Sequence, residues 1–488
     1  MTRAIRNKLR PEDFTDHPDV QGCISQLKAR FGDKYERLEV SDTLGDKPDE
    51  NGVELQYVDL VQKGGGVLGI ALVGYTYILE EAGIRFFSLA GTSAGAINTA
   101  MIASIGKDKS EKKSKKIIEY LSELNFFDMV DGHPVARTLI RWFIKNKDFS
   151  KEAKTWVIGL LGSFFGLLIL DVLFLGLTHV SIIWSVAART SFVLTGVSLL
   201  LIISIGGYGK YLFSRLKTAG YGINPGNFLL NWIKAKMQDN GINSISNLEN
   251  RVAAIPPLRQ RHPDMETLST LKANVTFITA ELVTQNKVEF PKMWDLFRKA
   301  GNDTTNTHPA FFVRASMSIP LFFEACVING IDADNKILQQ RWKEVFGIAK
   351  EKIPLTAKFV DGGMLSNFPL NIFYNPRITV PRMPSFGIDL DDSLPQIDRG
   401  ENSHNWELGS FMGKMLNTMR GYYDKDFVLK NKVYERGVGS VKLNEFNWLN
   451  FFLADKDKIA MFVKGAKAAT QFLETFDWAE YKKERAKV

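Results

Sequence analysis

The sequence predicts an α/β fold, a sheet with flanking helices that is interrupted by a hydrophobic helical hairpin. Three observations support this prediction. The pentapeptide Gly-Thr-Ser-Ala-Gly at 91–95 joins a strand-like apolar run to a helix-like run. The glycines at 64–66 join a second strand-like run to a second helix-like run. Two long apolar segments, at 155–177 and 180–205, follow before strand patterns resume.

The motif at 91–95 is typical of a nucleophile elbow, a tight turn between a strand and a helix. Gly91 and Gly95 leave room for neighbouring backbone that a larger side chain would hit. The turn lifts the Ser93 hydroxyl above the sheet and places it at a helix N-terminus, where backbone N–H groups can stabilise negative charge. Ser93 is therefore the candidate nucleophile, and a purely structural turn is the alternative.

The run Gly64-Gly65-Gly66 exposes backbone N–H groups that no side chain covers. Such a loop can bind a phosphate or an oxyanion. No Gly-Lys-Ser or Gly-Lys-Thr ends the run, so it is not a P-loop, and it does not open a convincing dinucleotide fold. Beside an activated serine, we expect an oxyanion hole for a tetrahedral acyl intermediate, with a flexible turn as the alternative.

A third motif lies far downstream, where Asp361 ends a short apolar run and precedes Gly362 and Gly363. An Asp-Gly pair usually forms only a turn. Read alone, Asp361 would be structural more often than catalytic.

In order and spacing, the glycine run, the serine elbow and the Asp-Gly-Gly turn together resemble the patatin-like phospholipase family. The segment Arg-Ala-Ser-Met-Ser-Ile-Pro at 314–320 also resembles the Ala-Ser-x-Ser-x-Pro segment of that family. The resemblance covers 54–105 and 273–390, and the stretch 450–473 is a candidate extension. Each motif is weak alone, but the set is highly specific.

The resemblance implies a patatin-like three-layer α/β sheet and a serine–aspartate dyad without a catalytic histidine. By matching motifs, Ser93 is the nucleophile, Asp361 is the general base, and the amides of Gly64, Gly65 and Gly66 form the oxyanion hole. Ser318 and Pro320 would be structural neighbours of the site. No metal or organic cofactor is implied.

The implied chemistry requires an unusual aspartate. Serine is a weak nucleophile until a base takes its proton. Because an aspartate in water has a pKa of about 3.9, we expect partial burial to raise the pKa of Asp361.

One position departs from the family pattern. Leu68 stands where family members often carry Arg or Lys in the glycine-run motif. Lys63 could supply a nearby charge, but it precedes the glycines. This departure leaves the headgroup preference open, but it does not affect the expectation of acyl hydrolysis.

A histidine-dependent triad in the order serine, acid, histidine is the alternative chemistry. Only His404 follows Asp361, and its polar surroundings at 402–405 favour a solvated loop. The other histidines are His17, His133, His179, His262 and His308. None of the six pairs with another ligand at metal-site spacing.

Composition narrows the class of protein. Of 488 residues, 45% are hydrophobic, which allows a substantial core, and only Cys23 and Cys326 are cysteines, so we expect an intracellular chain without a disulfide framework. The basic start lacks the apolar core of a secretory signal. The net charge is +8, but the basic residues are not spread as the stripe that is typical of a nucleic-acid-binding surface. The dense lysine cluster at 107–116 favours either a solvated helix face or contact with anionic lipid.

The segments 155–177 and 180–205 each exceed the roughly 20 residues that span a ~30 Å hydrocarbon core. Asp171 and Arg189 fall at similar depth in such a hairpin and could pair. A hairpin buried in a soluble core, or one dipping into a single leaflet, is the alternative. The outer ends are basic, through Arg141, Lys145, Lys147, Lys151 and Lys154 before the hairpin and Lys210, Arg215 and Lys217 after it. The positive-inside rule then places the catalytic domain on the cytoplasmic side of the membrane.

We therefore expect four regions. They are an N-terminal extension (1–53), a catalytic core (54–105 and 273–390), an insertion with the hairpin and a helical cap (106–272), and a C-terminal helical region (391–488).

The predicted function is a membrane-associated serine hydrolase that cleaves phospholipid or lysophospholipid acyl esters through an acyl-enzyme. The expected partners are the lipid substrate and a bilayer containing anionic lipid, and the hairpin could also pack against a second copy of the chain. A non-catalytic membrane scaffold on the same fold, or a transacylase or thioesterase using the same dyad, remains the alternative.

Overall fold

The computed structural model describes residues 9–134, 137–138, 149–218, 220–262, 271–299, 307–375, 377–378, 380–391 and 431–486. The chain groups into two compact units. The larger unit consists of Met1–Asp131 and Gly226–Val488, and the smaller consists of Gly132–Pro225. This grouping does not test the four regions expected from the sequence, which stay a prediction.

The larger unit contains a mixed sheet, as the α/β prediction requires. Its strands are β1 (Thr43–Gly45), β2 (Gln56–Gln62), β3 (Ile84–Thr92), β4 (Leu258–Gln260), β5 (Val275–Glu281), β6 (Asn286–Phe290), β7 (Cys326–Asn329), β8 (Thr356–Asp361), β9 (Ser385–Asp391) and β10 (Val438–Lys442). The main order is β10-β9-β2-β3-β5-β8-β7. The pairs from β10 to β5 are parallel, whereas β8 runs antiparallel to both β5 and β7.

Helices flank this sheet within the larger unit, and two further helices belong to the smaller unit. They are α1 (Glu12–Thr15), α2 (Pro18–Phe31), α3 (Ile70–Glu81), α4 (Ala94–Ser104), α5 (Ser114–Glu123), α6 (Phe149–Leu177), α7 (Ile182–Thr218), α8 (Asn227–Asp239), α9 (Ile245–Ala253), α10 (Ala310–Ser316), α11 (Lys336–Phe346), α12 (Asp455–Thr475) and α13 (Trp478–Arg485). Helices α6 and α7 belong to the smaller unit.

The core around the central strands explains the apolar runs in the sequence. Every residue of β3 is buried, as expected for a parallel strand that is covered on both faces. Helix α3 packs against α12 with backbone close to backbone. A Cβ atom at Gly74 would collide with the carbonyl of Phe462, and one at Gly465 would collide with the carbonyl of Ala71. The two glycines therefore set how closely these helices approach.

Helices α6 and α7 contain the two predicted apolar segments and are long enough to cross a membrane. The apolar stretches are Thr155–Leu177 and Ile182–Tyr211. In their most apolar windows, only 6% and 22% of the residues, respectively, are buried. The alternative of a hairpin buried in a soluble core is therefore wrong for these helices. Length and composition alone give only weak evidence for a membrane span.

The structure does not pair Asp171 with Arg189, so this prediction is wrong. Asp171 is buried between the helices and accepts a hydrogen bond from the Thr195 hydroxyl at 2.7 Å, while Arg189 is exposed. The hydroxyl pairs with one carboxylate oxygen without bringing a second charge into an apolar region, while Asp171 Oδ1 is buried with no hydrogen-bond partner among the described residues. The flanking residues Arg141, Lys145 and Lys147 lie outside the described residues.

We predict that Asp59→Asn stabilises the protein at neutral pH. Burial raises the pKa of Asp59, on β2, to about 6. In the unfolded chain its pKa is about 3.9, so the folded state binds the proton more tightly. Stability is therefore lost as pH rises from about 4 to about 6, and the loss persists above that range.

The measurement is thermal unfolding of the detergent-solubilised full chain between pH 4 and pH 8. The variant should gain about 1–3 kcal/mol over wild type at pH 7.5 and little at pH 4. Asp334→Asn, a change at an almost fully exposed carboxylate, serves as the control. A gain from Asp59→Asn that is the same at every pH would contradict the burial explanation.

Candidate active site

The site lies where the ends of β3 and β8 meet on one edge of β5. Strand β3 pairs with β5 up to Thr92 opposite Ile278. Strand β8 arrives from the other direction and ends with Asp361 opposite Thr279, the next residue of β5. Two strands distant in sequence thus end at adjacent positions of a third. This register brings Ser93 and Asp361 together.

The structure places the predicted nucleophile and base in direct contact. The Ser93 hydroxyl donates to Asp361 Oδ2 at 2.7 Å, and the two residues are only 2% and 5% exposed. The carboxylate is held from a second side, because the Gly363 amide donates to its Oδ1 at 2.7 Å. The thioether sulfur of Met317 lies 3.1 Å from the Ser93 hydroxyl oxygen. A buried serine hydroxyl is thereby oriented toward a fixed carboxylate.

The turn at Ser93 has the backbone of a nucleophile elbow. Ser93 adopts a φ of 54°, in the left-handed region that non-glycine residues seldom occupy. A Cβ atom on Gly91 would collide with the carbonyl of Gly95, and one on Gly95 would collide with the carbonyl of Gln62. The two elbow glycines therefore allow β2, β3 and the start of α4 to approach closely.

Ser316 supports this elbow and was not singled out from the sequence. The Ser93 amide donates to Ser316 Oγ at 2.9 Å, and that hydroxyl donates to the Ile278 carbonyl at 2.5 Å. The side chain thus bridges the residue that follows β3 and the last residue of β5 that pairs with β3. The segment at 314–320 was recognised as a motif, but its spacing does not show which of its two serines faces the elbow.

The glycine run lies beside the elbow, but its first amide is occupied. Gly64 N donates to the Asn367 carbonyl at 2.9 Å, and Asn367 Nδ2 donates back to the Gly64 carbonyl at 3.1 Å. The expectation that Gly64 supplies an oxyanion donor is therefore corrected. A Cβ at Gly64 would lie 2.8 Å from the Cβ of Ser93, so Gly64 instead permits close approach.

Gly65 and Gly66 complete the glycine run. Their amides have no acceptor among the described residues. Gly66 has a φ of 56°, and a Cβ there would collide with the Trp448 carbonyl. Trp448 also accepts the Val67 amide at 3.0 Å, which fixes the end of the loop. Trp448 lies outside every motif identified in the sequence, so the sequence did not link it to this loop.

Lys63 does not provide a free charge next to the glycine run. Its Nζ lies 2.7 Å from Asp389 Oδ1 and 2.9 Å from the Leu390 carbonyl, both on β9. Leu68, at the position where the family often has a cation, is fully buried.

Three of the described histidines contact groups other than Ser93 and Asp361. His308 Nε2 lies 3.1 Å from the Ile242 carbonyl, and His262 lies 3.9 Å from Asp42. His17 precedes α2 and accepts the Asp19 amide. His404, the candidate for a triad, lies outside the described residues. No cluster of three or more His, Cys, Asp or Glu side chains suited to a metal ion occurs within the described ranges.

An apolar pocket of about 60 Å³ adjoins the elbow and the glycine run. Gly66 and Ala94, which flank the glycine loop and Ser93, are part of its wall. The rest of the wall is almost entirely apolar and includes Ile97, Met101, Leu121, Phe126, Met129 and Trp232. Such a surface can receive hydrocarbon but offers little to a polar ligand.

Comparison with known proteins agrees with the fold. A family model described as patatin-like phospholipase matches residues 60–374. A curated relative, the uncharacterized protein YqhO of Bacillus subtilis (strain 168), is 24% identical over 422 residues, which cover 86% of this chain and 100% of the relative.

Two solved structures are also similar. VipD from Legionella pneumophila has 13% identity and a TM-score of 0.37, with 90% of this chain and 71% of that chain covered. The ExoU–SpcU complex of the Pseudomonas aeruginosa type III secretion system has 15% identity and a TM-score of 0.30, with 89% and 56% covered. Likeness at this level does not bear on the geometry of the site.

We predict that Ser316→Ala destabilises the elbow and that Ser316→Thr largely does not. The alanine variant leaves the buried Ser93 amide without its acceptor, which costs about 1–3 kcal/mol. Threonine retains the hydroxyl. Thermal unfolding of the full chain in mild detergent measures the effect, with Ser25→Ala on exposed α2 as the control. Equal losses in the alanine and threonine variants would contradict the bridging role.

Proposed function

The chain belongs to the patatin-like phospholipase family, and from this premise we propose that it is a membrane-associated serine lipid acyl hydrolase with Ser93 as nucleophile and Asp361 as general base. Family membership supports lipid acyl hydrolysis in general. The dyad, the phospholipid or lysophospholipid substrate and the membrane location are added here from the residues of this chain.

One observation supports the dyad above all others, the 2.7 Å hydrogen bond from the Ser93 hydroxyl to the Asp361 carboxylate. As Ser93 Oγ attacks the ester carbonyl, its proton passes to Asp361 Oδ2. Asp361 then gives that proton to the leaving alcohol, and the acyl group remains on Ser93. Water follows the same route, losing a proton to Asp361 while it attacks the acyl-enzyme. Ser93 regains its proton as the fatty acid leaves.

The negative charge on the carbonyl oxygen requires donors that are already in place. We assign this role to the amides of Gly65 and Gly66, because the Gly64 amide is engaged by Asn367. Preorganised amides of this kind are worth about 3–4 kcal/mol each in other acyl-transfer enzymes. The contacts to Asn367 and Trp448 hold the loop on both sides of these two amides.

The apolar pocket suggests where the acyl chain begins. Gly66 and Ala94 line it, so a carbonyl held by the glycine loop would direct its first methylenes along Met101 and Trp232. A pocket of about 60 Å³ has room for only the start of a fatty acyl chain. The substrate class that fits is therefore an ester whose acyl part is hydrocarbon.

The exposed helices α6 and α7 support membrane association. Their outward residues are large and apolar, for example Val172, Phe192 and Leu200. Exposed apolar area of this extent is unusual for a soluble protein. The exposed basic residues Arg215 and Lys217 end α7 and suit anionic headgroups on the cytoplasmic face. The same apolar surface could hold a second copy of the chain.

The lysine cluster at 107–116 contributes less to lipid binding than its sequence indicates. Lys109 donates to the Val252 carbonyl, and Lys113 donates to the Asp108 carbonyl. Burial lowers the pKa of Lys109 to about 8. Lys112 is paired with Glu81 at 2.9 Å. The cluster is therefore largely engaged within the fold, and anionic-lipid contact rests mainly on the basic end of α7.

We predict that acyl release from mixed phospholipid and lysophospholipid vesicles depends on both members of the dyad. Ser93→Ala and Asp361→Asn should each lower kcat at least about a thousandfold, because nucleophile and base act as a unit. Ser25→Ala and Asp334→Asn are the matched controls and should retain wild-type rates. His404→Ala should also stay active.

The outcomes separate the alternatives. Loss of activity in His404→Ala would favour a triad. Release that survives in Ser93→Ala, or no release by wild type from phospholipid, lysophospholipid or neutral ester, would overturn the hydrolase proposal in favour of a scaffold. Transfer of the acyl group to an added alcohol or thiol faster than to water would indicate a transacylase.

We predict that arginine in the apolar hairpin removes the protein from membranes. Val172→Arg combined with Leu200→Arg places two charges in the spans, each costing about 2.5–3.5 kcal/mol near the bilayer centre. The fraction retained in membranes after alkaline carbonate extraction should fall sharply. Ile337→Arg is the matched control, because Ile337 is equally exposed at 75% but lies on α11. Equal retention of all three proteins would contradict a membrane-embedded hairpin.

A further inference from the structure

The chain leaves the larger unit for the smaller one and later returns to it. The two residues of the larger unit where this happens are held together by a single side chain. Asp131 is the last residue before the smaller unit, Gly132–Pro225, and Gly226 is the first residue after it. The Asp131 carboxylate accepts the Gly226 amide and the Phe228 amide, each at 2.9 Å. Because these amides open helix α8, a carboxylate here also opposes the positive end of that helix. We call this group of contacts the insertion root.

Arg314 contacts the same root from the interior. It is only 3% exposed, and its Nε donates to the Gly226 carbonyl at 3.2 Å. The remaining guanidinium nitrogens bind elsewhere, Nη1 to Ser318 Oγ at 2.6 Å and Nη2 to the Glu324 carbonyl at 2.9 Å. A planar guanidinium with donors in fixed directions keeps these groups at set distances from one another.

Ser318 links Arg314 to Asp361, the acid of the proposed dyad. Its carbonyl accepts the Asp361 amide at 2.9 Å, and its hydroxyl donates to the Arg314 carbonyl at 3.0 Å. Asp361 in turn receives the Ser93 hydroxyl. A continuous series of hydrogen bonds therefore runs from Asp131 through Gly226, Arg314 and Ser318 to Asp361.

We propose that Arg314 is a positioning residue that ties Asp361 to the insertion root, so that a change at Asp131 alters the reactivity of Ser93. The inference rests on the proposed dyad. It adds a consequence for the proposed bilayer enzyme, because residues at the point where the chain leaves and re-enters the larger unit also hold the proposed catalytic acid.

The packing at the root leaves little freedom for the series to relax. Gly226 has a φ of 71°, and a Cβ atom there would lie 2.5 Å from the central carbon of the Arg314 guanidinium. The ring of Phe323 covers the guanidinium at 5.0 Å. Burial lowers the pKa of Arg314, and the Asp131 carboxylate is among the groups that oppose this by stabilising its positive charge. The charge of Asp131 therefore favours the charged guanidinium in its buried position.

The test is a double-mutant cycle on the reactivity of Ser93. The full chain in detergent is labelled with a fluorophosphonate probe, and the second-order rate is measured for wild type, Asp131→Asn, Ser318→Ala and the double variant. Each single change should slow labelling about three- to thirtyfold, as expected when a buried hydrogen bond to a charged group is lost. Because both changes act on one series, the double variant should be no slower than about the slower single variant.

Controls separate positioning from general destabilisation. Asp477→Asn removes the same kind of charge from another helix start, where Asp477 accepts the Glu480 amide at 2.8 Å, and should leave labelling unchanged. Ser318→Thr retains the hydroxyl and should restore the rate. Where Ser318→Ala does not fold, Arg314→Lys replaces it in the cycle, because lysine keeps the charge but lacks the planar fork.

The inference would be overturned if the two substitutions affected the labelling rate independently of each other. Rate losses that multiply in the double variant, or single variants that label like wild type, would show that the root and the dyad are not linked. Failure of the wild type to label at Ser93 would overturn the dyad and the inference together. Normal labelling and coupling without acyl release from any lipid would overturn the lipid-hydrolase proposal alone.

Discussion

The register of two strands on β5 is the constraint on which the rest of the site depends. Strand β3 stops opposite Ile278 and β8 stops opposite Thr279, so their ends meet. Because a shift of one residue would turn each side chain to the other face, this register decides whether Ser93 faces Asp361 at all. Ser93 then contacts Asp361 directly at 2.7 Å, with no residue between them. The sheet itself provides their alignment.

The turn at Ser93 is held by contacts from several parts of the chain. Its left-handed backbone is costly for a serine and persists only where the surroundings fix it. Ser316 holds the amide of Ser93, Gly91 and Gly95 admit neighbouring backbone, and Asn367 holds the adjacent glycine loop. The Asp-Gly-Gly turn and its following residues thus contribute both Asp361 and the contact of Asn367 with the glycine loop. This shared origin explains why these motifs occur as a set.

Much of the fold could be predicted from the sequence because its signals are local. The strand, elbow and helix around Ser93 follow from periodicity and glycine placement, and the family match confirms the patatin-like α/β fold. The first apolar helix ends at Leu177, as the pattern indicated. The occupied Gly64 amide could not be predicted, because its partner Asn367 is 303 residues away and acts through its main chain. The contact of Asp171 with Thr195 depends on how two helices face each other, which depth along a hairpin does not determine.

The most direct test of the dyad is to trap the acyl group on the protein. Wild-type protein is mixed with a phospholipid of known acyl composition, quenched in acid within milliseconds and digested, and the peptides are weighed by mass spectrometry. We predict an ester-linked acyl group on the peptide that contains Ser93, absent from Ser93→Ala. Steady acyl release with the acyl group on a different residue would contradict the mechanism proposed for this site.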